Sequence, residues 1–457
     1  MHAGSTPPPS QAPSPTPTLP PTAQVTQNRK RKREATTDSS PAPDVQAPSP
    51  LVTSRDLSKR PVLTISRGPT FHPVPDEPDF FKTDLHGVNI RGYRYTPAGI
   101  SPPGSGSLFR TIECNPRSYR VSWEDRGQLI QVTKDGLGLL GWKGYKSARC
   151  NAPIREGKWY MEVKILRGGG ARGPRDNGAE GSSVRLGWAR REAMLTGPAG
   201  QDGYSYAYRD STGEKVTLAR PKPYGKPFRT GDVVGMYISL PPKRQPNPKD
   251  PQDPAHIRRD RIAIDLKGQE AFEIKEYAQT KEMEAIMEYA KKSMNTTSVP
   301  SATVKKANVP KPEKPAAKRP APAPLRPLPK LEGSTIAFFV NGEPQGAAFE
   351  DIYDYLQLRP ADAPTRNHRK RATEGGLKRH KEDICFDDGS LGYYPFISLF
   401  NSGAVRMNPG PDFAFTPPPD IDAVVRGQPV KEDQERTWRP ICERYPEYMQ
   451  EQDHRER

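Results

Sequence analysis

Apolar side chains are scarce in this chain: 33% of its 457 residues are hydrophobic, while 54 are proline. Length alone suggests about three domains. So little apolar matter cannot bury the whole chain, however, and long parts are expected to stay unpacked. No apolar run approaches the roughly 18 residues that a membrane-crossing helix needs, so no membrane partner is expected. The N-terminus lacks an apolar stretch of signal-peptide type, so secretion is not expected either. The four cysteines, Cys114, Cys150, Cys385 and Cys442, lie far apart and form no CxxC pair. That spacing argues against a zinc finger or a disulfide framework, and they read as reduced thiols of an intracellular protein. The seven histidines are scattered without metal-ligand spacing. No metal and no cofactor are expected.

Enzyme signatures are equally thin. There is no Walker-type phosphate loop, no GxSxG elbow and no HExxH. Gly136-Leu137-Gly138-Leu139-Leu140-Gly141 has the spacing of a dinucleotide fingerprint, but Trp142-Lys143-Gly144-Tyr145 follows where a helix is required. The run reads as strand, turn, strand.

What is present points to binding. The net charge is +16, which suits polyanionic surroundings or acidic partner segments. Residues 1–60 are a Pro/Ser/Thr/Ala arm, expected to be disordered. Within it lies Arg29, Lys30, Arg31, Lys32 and Arg33, either a nuclear localisation signal or a solvated charge run. Residues 61–108 read as an extended lead-in. From Phe109 to Phe413 short β-rich runs recur between Gly/Pro/Asp turns. Trp159, Met161, Val163 and Ile165 alternate with Glu162 and Lys164, the period-2 pattern of a strand buried on one side. Val184-Arg185-Leu186-Gly187-Trp188 and Tyr204-Ser205-Tyr206-Ala207-Tyr208 repeat it, whereas Val233–Leu240 and Phe396–Phe400 read as central strands. Thr335–Val340 runs into Asn341-Gly342, a hairpin signal because a tight type I′ turn needs two residues at positive φ. Many short strands and few helices predict an antiparallel β-sandwich.

Two insertions interrupt it. The first, 241–333, predicts a strand at Arg261–Leu266 and then a helix over Gln269–Met294, with Met283, Ile286, Ala290 and Met294 as its apolar stripe. A stiff tether follows, carrying nine prolines from Pro300 to Pro329. The second, 360–383, is a basic loop with Arg366, Arg369, Lys370, Arg371, Lys378, Arg379 and Lys381.

Alternation with Val184 and Leu186 puts Arg185 on the outer face of its sheet, and Arg209 falls in the opposite phase to Tyr204, Tyr206 and Tyr208. Two arginines near aromatics on a rigid sheet are either a bidentate grip for carboxylate or phosphate, or ordinary surface residues.

These segments resemble a SPRY domain. The resemblance rests on Trp142-Lys143-Gly144-Tyr145, Gly157-Lys158-Trp159-Tyr160-Met161-Glu162-Val163, Arg185-Leu186-Gly187-Trp188 and Tyr204-Ser205-Tyr206. Gly231–Ile238, Phe338–Gly342 and Tyr394–Phe400 complete the series. With the long insertion after Ile238, their order resembles the Ash-two/Bre-two subunit family of COMPASS (SET1/MLL-type) histone methyltransferase complexes, in a fungal form. The resemblance implies a SPRY-type sandwich with two long insertions, a disordered N-terminal arm and a short C-terminal helix. It implies a non-catalytic nuclear scaffold for histone H3 lysine-4 methylation, supporting a SET-domain catalytic subunit. It also implies that a β-propeller subunit presents an acidic segment to a pocket whose matching positions are Tyr145, Arg185, Pro198 and Arg209. Gln201 and Ser211 depart from the aromatic and the lysine of that pattern.

In the tail, 414–457, Trp438, Ile441, Tyr445 and Tyr448 have the spacing of one helical face, with Pro446 as an interruption. The resemblance implies docking of this helix on a small Dpy-thirty-type dimer; packing on its own sandwich is the alternative. Animal members of that family carry a zinc-containing and winged-helix module that contacts DNA; the residues before Phe109 hold no cysteine, so no such module is expected there. Nucleosome or DNA contact is therefore assigned to Arg366–Lys381 and Lys305–Lys330, as a salt-dependent electrostatic interaction. A nuclear RNA-processing SPRY protein and a ubiquitin-ligase adaptor are the competing functions.

Overall fold

The computed structural model describes residues 65–66, 68–84, 93–102, 104–105, 108–173, 181–245, 247–249, 262–266, 269–277, 279–295, 327–356, 389–430 and 434–456. Arg29–Arg33, Arg366–Lys381, Cys385 and the tether up to residue 326 lie outside them.

Two antiparallel sheets face each other across one core. The first has seven strands, in the order Arg220–Pro223, Glu214–Thr217, Ser205–Arg209, Ser183–Ala189, Tyr394–Phe400, Lys146–Cys150 and Val121–Arg126. The second is built around Gly157–Arg167, flanked by Ala404–Asn408 and Val233–Leu240, with the hairpin Thr335–Val340/Glu343–Glu350 at its end. Alternation decides what lies between them. Met161, Val163, Ile165, Val184, Leu186, Met236, Ile238, Phe338, Ile397 and Leu399 are all buried in the shared core. Each such side chain contributes about 1.5–3 kcal/mol by leaving water. Gly187 is required where its strand meets its neighbour, since a Cβ there would stand 1.9 Å from the Tyr206 carbonyl oxygen. Asn341 and Gly342 have φ of 49° and 83°, as the hairpin signal predicts. Thr133–Gly138 is a turn between Gln131–Val132 and Gly138–Leu140, as the strand–turn–strand reading of the glycine run predicts.

Three features differ from the sequence expectations. First, strands precede Phe109. Phe71–Pro73 and Phe81–Thr83 extend the second sheet, and Tyr93–Ile100 joins a separate four-stranded sheet with Phe109–Thr111, Gln269–Lys275 and Ile262–Leu266. Second, Gln269–Lys275 is therefore a strand, and the helix begins only at Lys281 and runs to Asn295. Ala271, Phe272 and Ile274 are buried against the lead-in strand, and this pairing overrides the good helix formers around them. Met283 and Ala290 are buried, as the apolar stripe requires. Third, the tail covers the outer face of the second sheet. Ile421, Val425 and Trp438 close over Tyr160, Tyr237 and Phe339. Glu162, predicted to face solvent, is 1% exposed and accepts hydrogen bonds from Ala414 N (2.7 Å) and Phe415 N (2.8 Å).

A buried ion cluster ties the lead-in and first insertion to the sandwich. Asp125 accepts from Arg191 Nη1 at 2.6 Å and Arg94 Nη1 at 3.5 Å, with Arg149 Nε 3.9 Å away. Arg191 Nη2 reaches Glu276 Oε1 at 2.9 Å. Burial opposes ionisation of Asp125, but Arg191, Arg94 and Arg149 outweigh it and hold the carboxyl well below its ordinary range.

Candidate protein-docking site

The outer face of the first sheet carries one row of polar residues. Arg185 stands opposite Arg209 on one side and Ser398 on the other, and Ser398 stands opposite Ser147. Directly opposed residues share a face, so the row follows from Val184, Leu186 and Tyr208 pointing into the core. Ser147 Oγ donates to the Gly197 carbonyl (2.6 Å), and Ala199 N donates to Ser398 Oγ (2.7 Å). These bonds pin the loop that contains Pro198, which is half-buried, along the row. The Ala199 carbonyl then accepts from Arg185 Nη1 at 3.2 Å.

Tyr145 completes the floor. Its ring lies 4.8 Å from the Arg185 guanidinium and 4.8 Å from the Phe400 ring. Its hydroxyl donates to Ser183 Oγ at 3.0 Å, and Ser183 Oγ donates to Asp210 Oδ1 at 2.8 Å. Asp210 also accepts from the backbone N of Gly169, Val184 and Ser211. It thus orients the tyrosine through a serine.

The two arginines are unequal. Arg209 Nη1 pairs with Glu214 Oε2 at 2.6 Å. Arg185 has no carboxylate within ion-pair distance among the described residues, and its buried Nε has no hydrogen-bond partner there. Two like charges directly across strands repel. An incoming carboxylate would relieve that repulsion and satisfy the orphan donor, bound by charge-assisted bonds over an aromatic floor.

The structure therefore brings Tyr145, Arg185, Pro198 and Arg209 to one face. Gln201 and Ser211 are exposed at its margin. Tyr206 and Tyr208 point into the core, and Tyr204 packs with Ala207 and Met283 in a separate cluster, so none of the three supplies the aromatic. Sequence reasoning did not single out Ser183, Asp210, Glu214 and Phe400. Glu214 is five residues from Arg209, but Phe400 and Ser183 come from strands far apart in the chain and leave no local signal.

The four tail anchors do not share one helical face. Trp438 precedes the helix and is 2% exposed, its Nε1 donating to the Pro418 carbonyl at 2.8 Å. Ile441 starts a 3-10 turn and is fully buried in the main core. Tyr445 is buried and donates to Glu113 Oε1 at 3.1 Å, and Tyr448 packs against the same core. The α-helix is Arg444–Glu456. Pro446 sits in its first turn, where an N–H has no intrahelical acceptor, and so interrupts nothing. Trp438, Ile441 and Tyr445 are thus buried within the chain's own fold, and Tyr448 is half-buried there.

Among the described thiols, Cys114 and Cys150 are buried and Cys442 is half-buried. Burial pushes Cys114 up to about 12 and Cys150 higher still, and burial also raises Cys442.

A SPRY-domain family model matches residues 158–243. "Set1 complex component ash2" of Schizosaccharomyces pombe is 33% identical over 392 residues, covering 85% of this chain and 48% of that protein. "COMPASS component cclA" of Colletotrichum higginsianum is 36% identical over 366 residues, covering 74% of this chain and 58% of that protein. "Set1/Ash2 histone methyltransferase complex subunit ASH2" of Drosophila melanogaster is 25% identical over 347 residues, covering 72% and 45%. The chain spans about half the length of the curated relatives it matches.

Proposed function

We propose, from the premise that this chain belongs to the SPRY-domain family of Ash2- and cclA-type components, that it is a non-catalytic subunit of a nuclear Set1/COMPASS-type histone H3 lysine-4 methyltransferase complex. Its sandwich grips an acidic segment of a β-propeller subunit. The pair then supports the SET-domain catalytic subunit. The observation that carries this reading is Arg185, held over Tyr145 beside Arg209 with a buried donor that lacks an acceptor among the described residues. A carboxylate is the chemistry such a site selects.

The small Dpy-thirty-type dimer would meet the remaining face of Arg444–Glu456, where Pro446, Gln450, Asp453 and His454 are exposed. That face is polar, so this contact would differ from apolar helix-in-groove docking. Nucleosome contact is proposed through the basic segments Arg366–Lys381 and Lys305–Lys330.

The test is reconstitution. The chain alone should transfer no methyl group but should raise the activity of a SET subunit when the propeller subunit is present. Arg185→Ala/Arg209→Ala should abolish that stimulation while leaving the thermal transition of the chain unchanged. Full stimulation by the double variant would remove the docking assignment.

A further inference from the structure

A second cationic site lies where the two sheets part, on the inner face of the edge hairpin whose Glu214 pairs with Arg209. The hairpin Glu214–Thr217/Arg220–Pro223 forms the edge of the first sheet, and Glu343–Glu350 forms the edge of the second. Between them is a cleft of about 380 Å³. Register places Lys215 opposite Lys222, and Thr217 opposite Arg220, so all four point from one face of the hairpin into it. Lys330 lines the far wall.

None of Arg220, Lys222 and Lys330 has a carboxylate within ion-pair distance among the described residues. Arg220 Nη2 and Thr217 Oγ1 are buried without a hydrogen-bond partner among them. Lys215 is the exception, because its Nζ bridges the sheets by donating to the Ala348 carbonyl at 2.6 Å. Burial, and then the charge of Lys222, push that ammonium below its usual range.

The hairpin is held in a costly form. Its turn residues Leu218 and Ala219 have φ of 54° and 57°, without a glycine. Their N–H groups donate to the Asp202 and Gly200 carbonyls, which fix the turn and with it the direction of Thr217 and Arg220. Beside the cleft, Tyr289 of the insertion helix is 71% exposed, with the Arg220 guanidinium 5.8 Å from its ring.

We propose that this cleft is a second docking groove, which receives an extended acidic segment of a partner protein. Carboxylates would pair with Arg220, Lys222 and Lys330, and an apolar side chain would rest on Tyr289. A nucleic acid fits less well. Glu350 and Asp351 share the lining, where a phosphate backbone would meet repulsion that a peptide avoids by placing a neutral residue there.

The test uses the full chain carrying Arg185→Ala/Arg209→Ala, so that the first site contributes nothing. The probe is a fluorescein-labelled dodecapeptide of alternating glutamate and valine, followed by anisotropy. Adding Arg220→Gln/Lys222→Gln is expected to weaken binding about tenfold. Glu350→Gln is expected to strengthen it, an outcome that misfolding cannot produce. Undetectable binding, affinity indifferent to Arg220→Gln/Lys222→Gln, or tighter binding of a twelve-nucleotide oligothymidine would each overturn the groove. Because the first site is already removed, none of these results bears on the propeller assignment.

Discussion

Arg185 and Arg209 are cross-strand neighbours of like charge, yet among the described residues only Arg209 has a counter-ion of its own. This asymmetry leads to separate outcomes for single substitutions. Glu214→Gln should free Arg209 and tighten binding of an acidic segment several-fold at low salt, with the gain shrinking as ionic strength rises. Calorimetry at two salt concentrations checks both parts. Tyr145→Ala should cost about 0.5–2 kcal/mol of binding by removing the ring under the Arg185 guanidinium. At this scale much was legible. Alternation with Val184 and Leu186 puts Arg185 outside, and the opposite phase of Tyr208 puts Arg209 beside it. The serine–aspartate support was not legible, because Tyr145, Ser183 and Asp210 meet only through tertiary packing.

Among elements, the lead-in strand Tyr93–Ile100 and the insertion strand Gln269–Lys275 form a sheet together, and Arg94 and Glu276 at its ends enter the Asp125 cluster. Removing one partner from a buried charge cluster strands the others. Asp125→Ala should therefore destabilise the fold by about 3–5 kcal/mol in urea unfolding. The pH dependence follows from the depressed Asp125 carboxyl. Its stabilisation is fully present above the unfolded-state value near 4 and is lost as pH falls toward the lower folded value. An acid titration of stability should show this decline, and Asp125→Asn should flatten it. The strand at Gln269–Lys275 was hidden in the sequence. Its residues are compatible with a helix that continues into Lys281–Asn295, and only the distant lead-in partner decides against it.

For the whole molecule, the tail is a structural strap. Lys158 pairs with Asp422 at 2.7 Å, the Tyr237 hydroxyl donates to Asp422 Oδ1 at 2.9 Å, and Trp438 seals the ring cluster around Tyr160. Trp438, Ile441, Tyr445 and Tyr448 all pack inward, but Trp438 and Ile441 precede the α-helix, and periodicity cannot say which surface a residue is buried against. Trp438→Ala should cost about 3–5 kcal/mol of stability, measured by denaturant unfolding, as core removal does. The central claim is that the open face of the first sheet holds an acidic propeller segment. Isothermal titration of the purified full chain with the purified β-propeller subunit tests it most directly. Arg185→Ala/Arg209→Ala should weaken binding by about 2–5 kcal/mol, roughly thirtyfold or more. An unchanged dissociation constant in the double variant would contradict the account.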